Sequence, residues 1–143
     1  DICMDKEFIE AFVEESLEIK VQACDVVISL EEDLNQPAQF ERYAQLIDRI
    51  YGAAMTLGFK FLGDYSKVLK DICLKVAKVE SPNARDTVLK MMKRYLQTLD
   101  LVLKDIEEPS KMMEIKKMLE LESKKAHNLE DKVFQWIKKK KAS

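Results

Sequence analysis

The spacing of apolar residues is the feature that most constrains how this chain can fold. Apolar side chains recur every three or four residues along nearly all of the 143-residue chain, and only three glycines and three prolines interrupt them. This spacing is typical of amphipathic helices, and no segment shows the alternation that predicts a strand. The pattern therefore predicts an all-α fold, and the length suits a single domain over residues 1–143.

Local breaks in the apolar pattern divide the chain into five predicted helices. One break is "GD", where Gly63 is predicted to supply the C′ residue that ends a helix and Asp64 to cap the next. Short connections make neighbouring helices antiparallel, so we expect an up-and-down four-helix bundle with an additional C-terminal fifth helix. The predicted helices cover about residues 5–33, 38–62, 64–79, 83–106 and 110–140.

The helical period also predicts which side of each helix faces the core. The first helix is predicted to bury Phe8, Phe12, Val13, Leu17, Val21, Cys24 and Ile28. The second is predicted to bury Phe40, Tyr43, Ile47, Ile50, Ala54, Leu57 and Phe61. The corresponding residues of the fifth are Met112, Ile115, Leu119, Ala126, Leu129 and Val133, followed by Trp136 or Ile137.

Charge and cysteine content narrow the classes of partner and compartment. Lysine and arginine number 24 and aspartate and glutamate 26, so the net charge of −2 gives no reason to expect nucleic acid or a membrane as partner. The three cysteines show no CxxC spacing, which favours a reducing, cytoplasmic compartment. No apolar run approaches the ~18 residues of a membrane span, and no signal peptide is visible. We expect Met4 to be the native start, with residues 1–3 added before it.

The residues needed for catalysis are largely missing. The only histidine is His127, so neither a Ser/His/Asp triad nor a histidine-rich metal site can be assembled. A glycine-rich phosphate-binding loop is also missing. The sequence therefore predicts a protein that is not an enzyme and that uses no metal and no cofactor.

Two segments carry a resemblance to a known family. "MDKEFIEAFVEESLEI" and "IDRIYGAAMTLGFKFLG" are similar to the first two helices of histidine phosphotransfer (HPt) domains, and most to the N-terminal phosphotransfer domain of chemotaxis histidine kinases. The family's second helix commonly reads Ile-x-Arg-Ala-Ala-His-Thr-Leu-Lys-Gly, and Phe-Leu-Gly follows it. The resemblance covers about residues 4–106 and implies an HPt-type bundle, to which the kinase versions add a fifth helix. It also implies a response-regulator receiver domain or a histidine kinase as partner.

The chain departs from the family at the residues that perform its chemistry. Met55 aligns with the phosphoryl-accepting histidine, and a thioether cannot form a phosphoramidate. Gly58 stands at the position of a lysine that would neutralise phosphoryl charge, and Phe59 at that of a glycine that lets a partner approach. Lys60 lies five residues from Met55, about 140° around a helix. We therefore expect a pseudo-HPt protein that docks its partner without phosphoryl transfer.

One line of residues on the predicted second helix is the candidate docking face. Asp48, Gly52, Met55 and Phe59 follow one another at spacings of four, three and four on its outer side. An exposed apolar patch with a charged rim is typical of an interaction site. With its neighbours, the candidate face comprises Asp48, Arg49, Gly52, Met55, Thr56, Phe59 and Lys60. Alternatively, the fifth helix or a loop covers this stripe, and its residues belong to the core.

Other functions stay open at this point. A receiver-domain phosphatase could use an acid and an amide on a helix to orient water, and Gln45 with Asp48 is the best such pair, with Glu41 one turn earlier. A purely structural helical subunit is a further alternative.

Two features of the fifth helix also have alternative interpretations. His127, near Lys124 and Lys125, could be a substitute phosphoryl acceptor, although ordinary surface histidines are commoner. Trp136 followed by Lys138 to Lys141 could anchor the helix on anionic lipid. The sequence favours the packed end of a helix whose cationic last turn suits its dipole.

Overall fold

The computed structural model describes the backbone of residues 2–142 and the side chains of residues 6–135. Over that backbone the chain is helical with no strand, so the all-α prediction is confirmed. The predictions for Met4, Trp136 and the lysines that follow lie outside the described side chains. The helices are α1 (Ile2–Glu32), α2 (Pro37–Thr56), α3 (Lys60–Ala77), α4 (Pro82–Asp105) and α5 (Met112–Ala142), with a 3-10 turn at Pro109–Lys111 before α5.

Helices α1 to α4 form a ring, and α5 packs on the outside of α3 and α4. Around the ring, α1 contacts α2, α2 contacts α3, α3 contacts α4, and α4 contacts α1. Ion pairs of Lys20 with Asp100 and of Glu31 with Lys93 show that α1 and α4 run antiparallel. No helix in the described part of the chain combines the length and apolar character needed to cross a membrane.

Buried tyrosines hold the centre of the ring together through both packing and hydrogen bonds. The Tyr43 hydroxyl donates to the Met92 carbonyl at 2.9 Å, and the Tyr95 and Ser66 hydroxyls lie 2.7 Å apart. Burial raises the pKa of Tyr43 and of Tyr95 well above the ordinary value of a phenol. Because each hydroxyl has a partner, these large side chains fill the core without leaving a buried polar group unpaired.

The core-facing side of α1 differs from the prediction. Phe12 is buried as expected, but Phe8, Leu17, Val21 and Ile28 are exposed. The buried line instead contains Phe12, Ser16, Ile19, Ala23, Val26, Val27 and Leu30. Apolar residues lie on both sides of α1, so the helical period alone does not decide which of them face the core.

The end of α2 also differs from the prediction, because Gly58 rather than Gly63 ends it. Gly58 has a φ of 83°, in the left-handed region that favours glycine. The Gly58 N–H donates to the Met55 carbonyl at 3.2 Å, and the Phe59 N–H donates to the Ala54 carbonyl at 2.8 Å. These two bonds form a Schellman motif. Helix α2 therefore stops at Thr56, six residues before the predicted end at 62.

Gly63 and Asp64 consequently lie inside α3, and the residue that precedes this helix is Phe59. The predicted cap at Asp64 is therefore wrong. The other internal boundaries agree with the prediction within two residues, namely the end of α1, the start of α2, the end of α3 and both ends of α4. At α5, the 3-10 turn occupies the predicted first residues. The predicted burial of Ile115, Leu119, Ala126 and Val133 is confirmed.

Candidate docking surface on the second helix

Met55 lies on the surface of the last turn of α2, next to α3. Its residue surface is 40% exposed, and the rest of it is covered. Gly63 of α3 leaves room for the Met55 side chain. A Cβ atom added at Gly63 would lie 2.9 Å from Met55 Cγ and closer still to Met55 Sδ. Real Cβ atoms do not approach other atoms so closely, so the glycine at 63 is what lets the Met55 side chain lie down against α3. The same virtual atom would lie 3.8 Å from the Tyr51 ring.

The surface beside Met55 is open. Gly52 is exposed, and a Cβ atom added there meets no other atom within 4 Å. Thr56 is exposed too, and its hydroxyl donates to the Gly52 carbonyl at 2.9 Å. The main contacts of α5 are with α3 and α4, so the described side chains of α5, up to residue 135, pack away from this side of the ring. Gly52, Met55 and Thr56 thus form a continuous surface on the last turns of α2.

Ion pairs link the charged residues beside this surface to the neighbouring helices. Asp48 accepts a hydrogen bond from Lys70 of α3 at 2.9 Å. Arg49 donates to Glu15 of α1 at 3.1 Å. The bond to Asp48 raises the pKa of Lys70, although both side chains are exposed enough for solvent to screen the pair. The two pairs connect α2 to α3 and α2 to α1, and they place both signs of charge at the rim.

Phe59 and Lys60 lie differently from their predicted positions. Because α2 ends at Thr56, Phe59 does not continue the line of Gly52 and Met55. Its ring is half-buried and contacts Phe12 of α1, with ring centroids 5.8 Å apart. Lys60 is exposed at the start of α3 and pairs with Asp64 at 2.9 Å, and that bond raises the pKa of Lys60. Phe59 therefore packs towards α1 and the core, and Lys60 is exposed at the start of α3.

An apolar cavity of about 220 Å³ adjoins this surface at the end of the ring. It opens between the α2–α3 turn and the start of α5. Its walls include Gly58, Phe59, Ile106, Met112 and Met113. Concave apolar sites with few polar groups commonly receive an apolar side chain or ligand. This cavity was not predictable from the sequence, because its walls come from segments about fifty residues apart.

The geometry gives little support to the other candidate chemistries. His127 is exposed, and its Nδ1 atom lies 3.8 Å from Glu130 in a groove that Glu120, Asp64 and Asp71 also line. That acidic surrounding would repel a phosphoryl group, although lysines line the groove as well. Within the described side chains, no three His, Cys, Asp or Glu residues gather closely enough to hold a metal ion.

The residues suggested for a phosphatase lie on the outer side of α2. Glu41, Gln45 and Asp48 are all exposed there, one turn apart. The Asp48 carboxylate is already paired with Lys70. A carboxylate has two oxygens with several lone pairs, so the bond from Lys70 to Oδ1 does not occupy all of them.

The comparisons with known proteins do not assign the chain to a family. The chain matches no protein-family model, no curated protein and no solved structure. The likeness to HPt domains therefore stays a prediction that rests on the residues quoted above.

Proposed function

We propose that this protein is a pseudo-HPt adaptor of two-component or chemotaxis-type signalling, with an HPt-type bundle. It binds a receiver domain or a histidine kinase and transfers no phosphoryl group. The observation that carries the proposal is the side chain of Met55. It is a thioether at the position where the family resemblance expects the reactive histidine, and it is half-exposed and packed against Gly63. Because Met55 is exposed but cannot accept a phosphoryl group, it supports binding of a partner rather than phosphoryl transfer.

The docking surface is suited to a protein partner because it is apolar at its centre and charged at its rim. Met55 is an adaptable side chain with a polarisable sulfur, which suits contact with another protein. Gly52 lets a partner's backbone or side chain approach the helix, since no Cβ atom projects there. Asp48 and Arg49 place opposite charges at the rim, which can complement charges on a partner.

Such an adaptor acts by preferring one state of its partner. A receiver domain exists in phosphorylated and unphosphorylated states, and a protein that binds both equally shifts neither population. The proposed mechanism is therefore selective binding to one state, which occludes or retains the receiver in that state.

The proposed compartment is the cytoplasm, as the cysteine content predicts. Cys73 is fully buried, and burial raises the pKa of its thiol well above the ordinary value. It is therefore a neutral core side chain rather than a reactive thiol.

Direct binding to purified receiver domains of the source cell tests the proposal. Each receiver, phosphorylated and unphosphorylated, is titrated with the fluorescently labelled protein. We expect at least one receiver to bind with different affinities in its two states, and Met55→Glu to weaken that binding at least about tenfold by placing a carboxylate at the apolar centre. Val21→Glu is the matched control, because Val21 is an apolar residue on α1 that is 65% exposed. Equal loss in both variants, or no receiver and no kinase bound, would contradict the proposal.

A phosphorylation assay tests the absence of transfer. Incubation with a labelled histidine kinase or phosphorylated receiver should leave no acid-labile phosphate on this protein. Label that disappears in His127→Ala would instead identify that histidine as an acceptor and refute a pure adaptor.

A further inference from the structure

The apolar cavity beside the α2–α3 turn has a buried floor and an open mouth. Its floor consists of buried side chains of α3, the end of α4 and α5, namely Leu62, Val102, Ile106, Ile115 and Leu119. The lining residues at its mouth are exposed, namely Gly58, Lys60, Met113 and Lys116. A small molecule can therefore enter this cavity from solvent, and inside it meets apolar side chains.

The volume of the cavity limits the size of a ligand. It is about 220 Å³. An apolar cavity of about 150 Å³ holds a benzene molecule, whereas pockets for drug-sized ligands start at about 300 Å³. The cavity therefore suits a single ring or a short alkyl chain, and it is too small for the long chains of membrane lipids.

The charged residues that line the cavity are both lysines. Lys60 is paired with Asp64 at 2.9 Å, so its charge is already balanced. Lys116 forms no ion pair within the described side chains, and its Nζ atom lies 4.7 Å from the centre of the Phe61 ring. Because Phe61 lines the same cavity, this cation–π contact places the ammonium group at the mouth. The mouth thus carries one positive charge that the chain does not balance with a carboxylate of its own.

The lining of this cavity also lacks the carboxylates that other concave sites of the described chain contain. The groove around His127 is lined by several aspartates and glutamates. The cavity beside Arg94 includes Glu122 in its wall. A carboxylate in the wall would repel an anionic ligand, and the apolar cavity has none. An anionic head group would therefore meet Lys116 without meeting a like charge in the lining.

We propose that this cavity is a binding site for a small amphiphilic anion of the medium-chain carboxylate class. The alkyl chain occupies the apolar cavity, and the carboxylate lies beside Lys116 at the mouth. The site does not use Met55, and the proposal does not depend on the proposed function. Because the walls come from the α2–α3 turn, the end of α4 and the start of α5, a bound ligand would stabilise the packing of α5 on the ring.

Nuclear magnetic resonance of the methionine methyl groups tests the proposal directly. Met112 and Met113 line the cavity, whereas Met92 is fully buried in the core of the ring. Sodium hexanoate is added to the whole chain with isotope-labelled methionines, at constant ionic strength and with chloride as the balancing anion. We expect the signals of Met112 and Met113, assigned with Met112→Leu and Met113→Leu, to shift and to saturate, while that of Met92 does not. No saturable shift at either residue, or an equal shift at Met92, would overturn the proposal.

A series of carboxylates of increasing length tests the apolar part of the site in the same measurement. Burying one more methylene group strengthens binding by up to about fourfold. We therefore expect hexanoate to bind at least about fivefold more tightly than butanoate, which has two methylene groups fewer. Acetate has the head group without the chain and should produce no saturable shift. Equal affinities for butanoate and hexanoate would contradict insertion of the alkyl chain.

Two lysine variants and an uncharged ligand test the charged part of the site. Lys116→Gln removes the positive charge at the mouth, and we expect it to weaken hexanoate binding by about two- to fivefold, as for an exposed ionic contact. Lys117→Gln is the matched control, because Lys117 is the next residue, is exposed and does not line the cavity. Hexanol has the chain without the charge and should bind the natural chain and Lys116→Gln equally. Equal loss of hexanoate affinity in both variants, or the same loss for hexanol in Lys116→Gln, would refute the role of Lys116 and the anionic class of the ligand.

Discussion

The two outer sides of the helix ring differ in what α5 does for them. On the α3–α4 side, α5 buries Leu119, Ala126 and Val133, and its Glu122 binds Arg94 through the planar fork. On the α2 side, Met55 and its neighbours face solvent, and the ion pairs are exposed. The comparison teaches that apolar outer residues of this ring are buried where the chain supplies its own partner helix. Where it does not, apolar side chains such as Met55 stay exposed.

The largest expected difference comes from placing the same charge on each side. Leu119→Glu buries a carboxylate between α5 and the ring, so we expect the free energy of unfolding to fall by roughly 3 kcal/mol or more. Met55→Glu places the carboxylate at a half-exposed position, and we expect a loss of no more than about 1 kcal/mol. Chemical denaturation measures both values. Similar losses in the two variants would mean that the α2 side is covered after all.

The next difference concerns the ion pairs of the two sides. Arg94→Met leaves the Glu122 carboxylate, which is 4% exposed, without its bidentate partner. Breaking a buried pair costs about 3–5 kcal/mol, and the exposure of Arg94 reduces our expectation to about 2 kcal/mol. Arg49→Met is the matched control, because its pair with Glu15 is exposed on both sides, and we expect about 0.5 kcal/mol or less. Equal effects in denaturation would remove the distinction between the two sides.

Alkaline pH should weaken the covered side through Tyr65. Burial raises the pKa of Tyr65 to about 12, while an unfolded tyrosine titrates near 10. A raised pKa means that the native state holds its proton more tightly, so this contribution to stability is complete below about pH 10 and is lost as the pH rises towards 12. We expect Tyr65→Phe to lose less stability than the natural chain between those two pH values, by about 1–2 kcal/mol. Parallel pH dependences in the two proteins would contradict the prediction.

The smallest effect on stability is expected at Gly52, on the open side. Gly52→Arg adds a side chain that meets no neighbouring atom at its Cβ, and replacing an exposed helical glycine stabilises by up to about 1 kcal/mol. The melting temperature should therefore stay unchanged or rise, while binding of a partner to this face falls. A clear drop in melting temperature would show that Gly52 is packed against another part of the chain.

The sequence predicted the helices well because periodicity and helix-breaking residues are local signals. The end of α2 was less predictable, since Gly58 and Gly63 lie five residues apart and both follow an apolar helical segment. Tertiary packing decides between them: Gly58 takes the positive φ, and Gly63 is used for its missing side chain against Met55. A single sequence does not distinguish these two uses of glycine.

The rotation of α1 and the burial of Arg85 depend on contacts between distant segments. The small residues Ser16 and Ala23, rather than the larger Val21 and Ile28, face the core, which helical period alone does not decide. Arg85 is covered by a connection about fifty residues earlier in the chain, so its sequence neighbourhood reads as an ordinary exposed helix start. For the candidate face, the sequence left open whether Met55 and Gly52 are exposed or covered, and the structure has both exposed. The sequence misplaced Phe59, and that error follows from the wrong end of α2.

The tight turn between α2 and α3 also has a consequence for the order in which the chain folds. Only residues 57–59 separate the two helices, and these helices pack along each other. Closing so short a loop costs little entropy, and local contacts form faster than distant ones. We therefore expect the α2–α3 hairpin to form early, before α1 and α4 find each other across most of the chain. Helix α5, which pairs Glu122 with Arg94, would dock late. In a ribosome-bound chain, Met55 can therefore pack against Gly63 before the last helix has been synthesised.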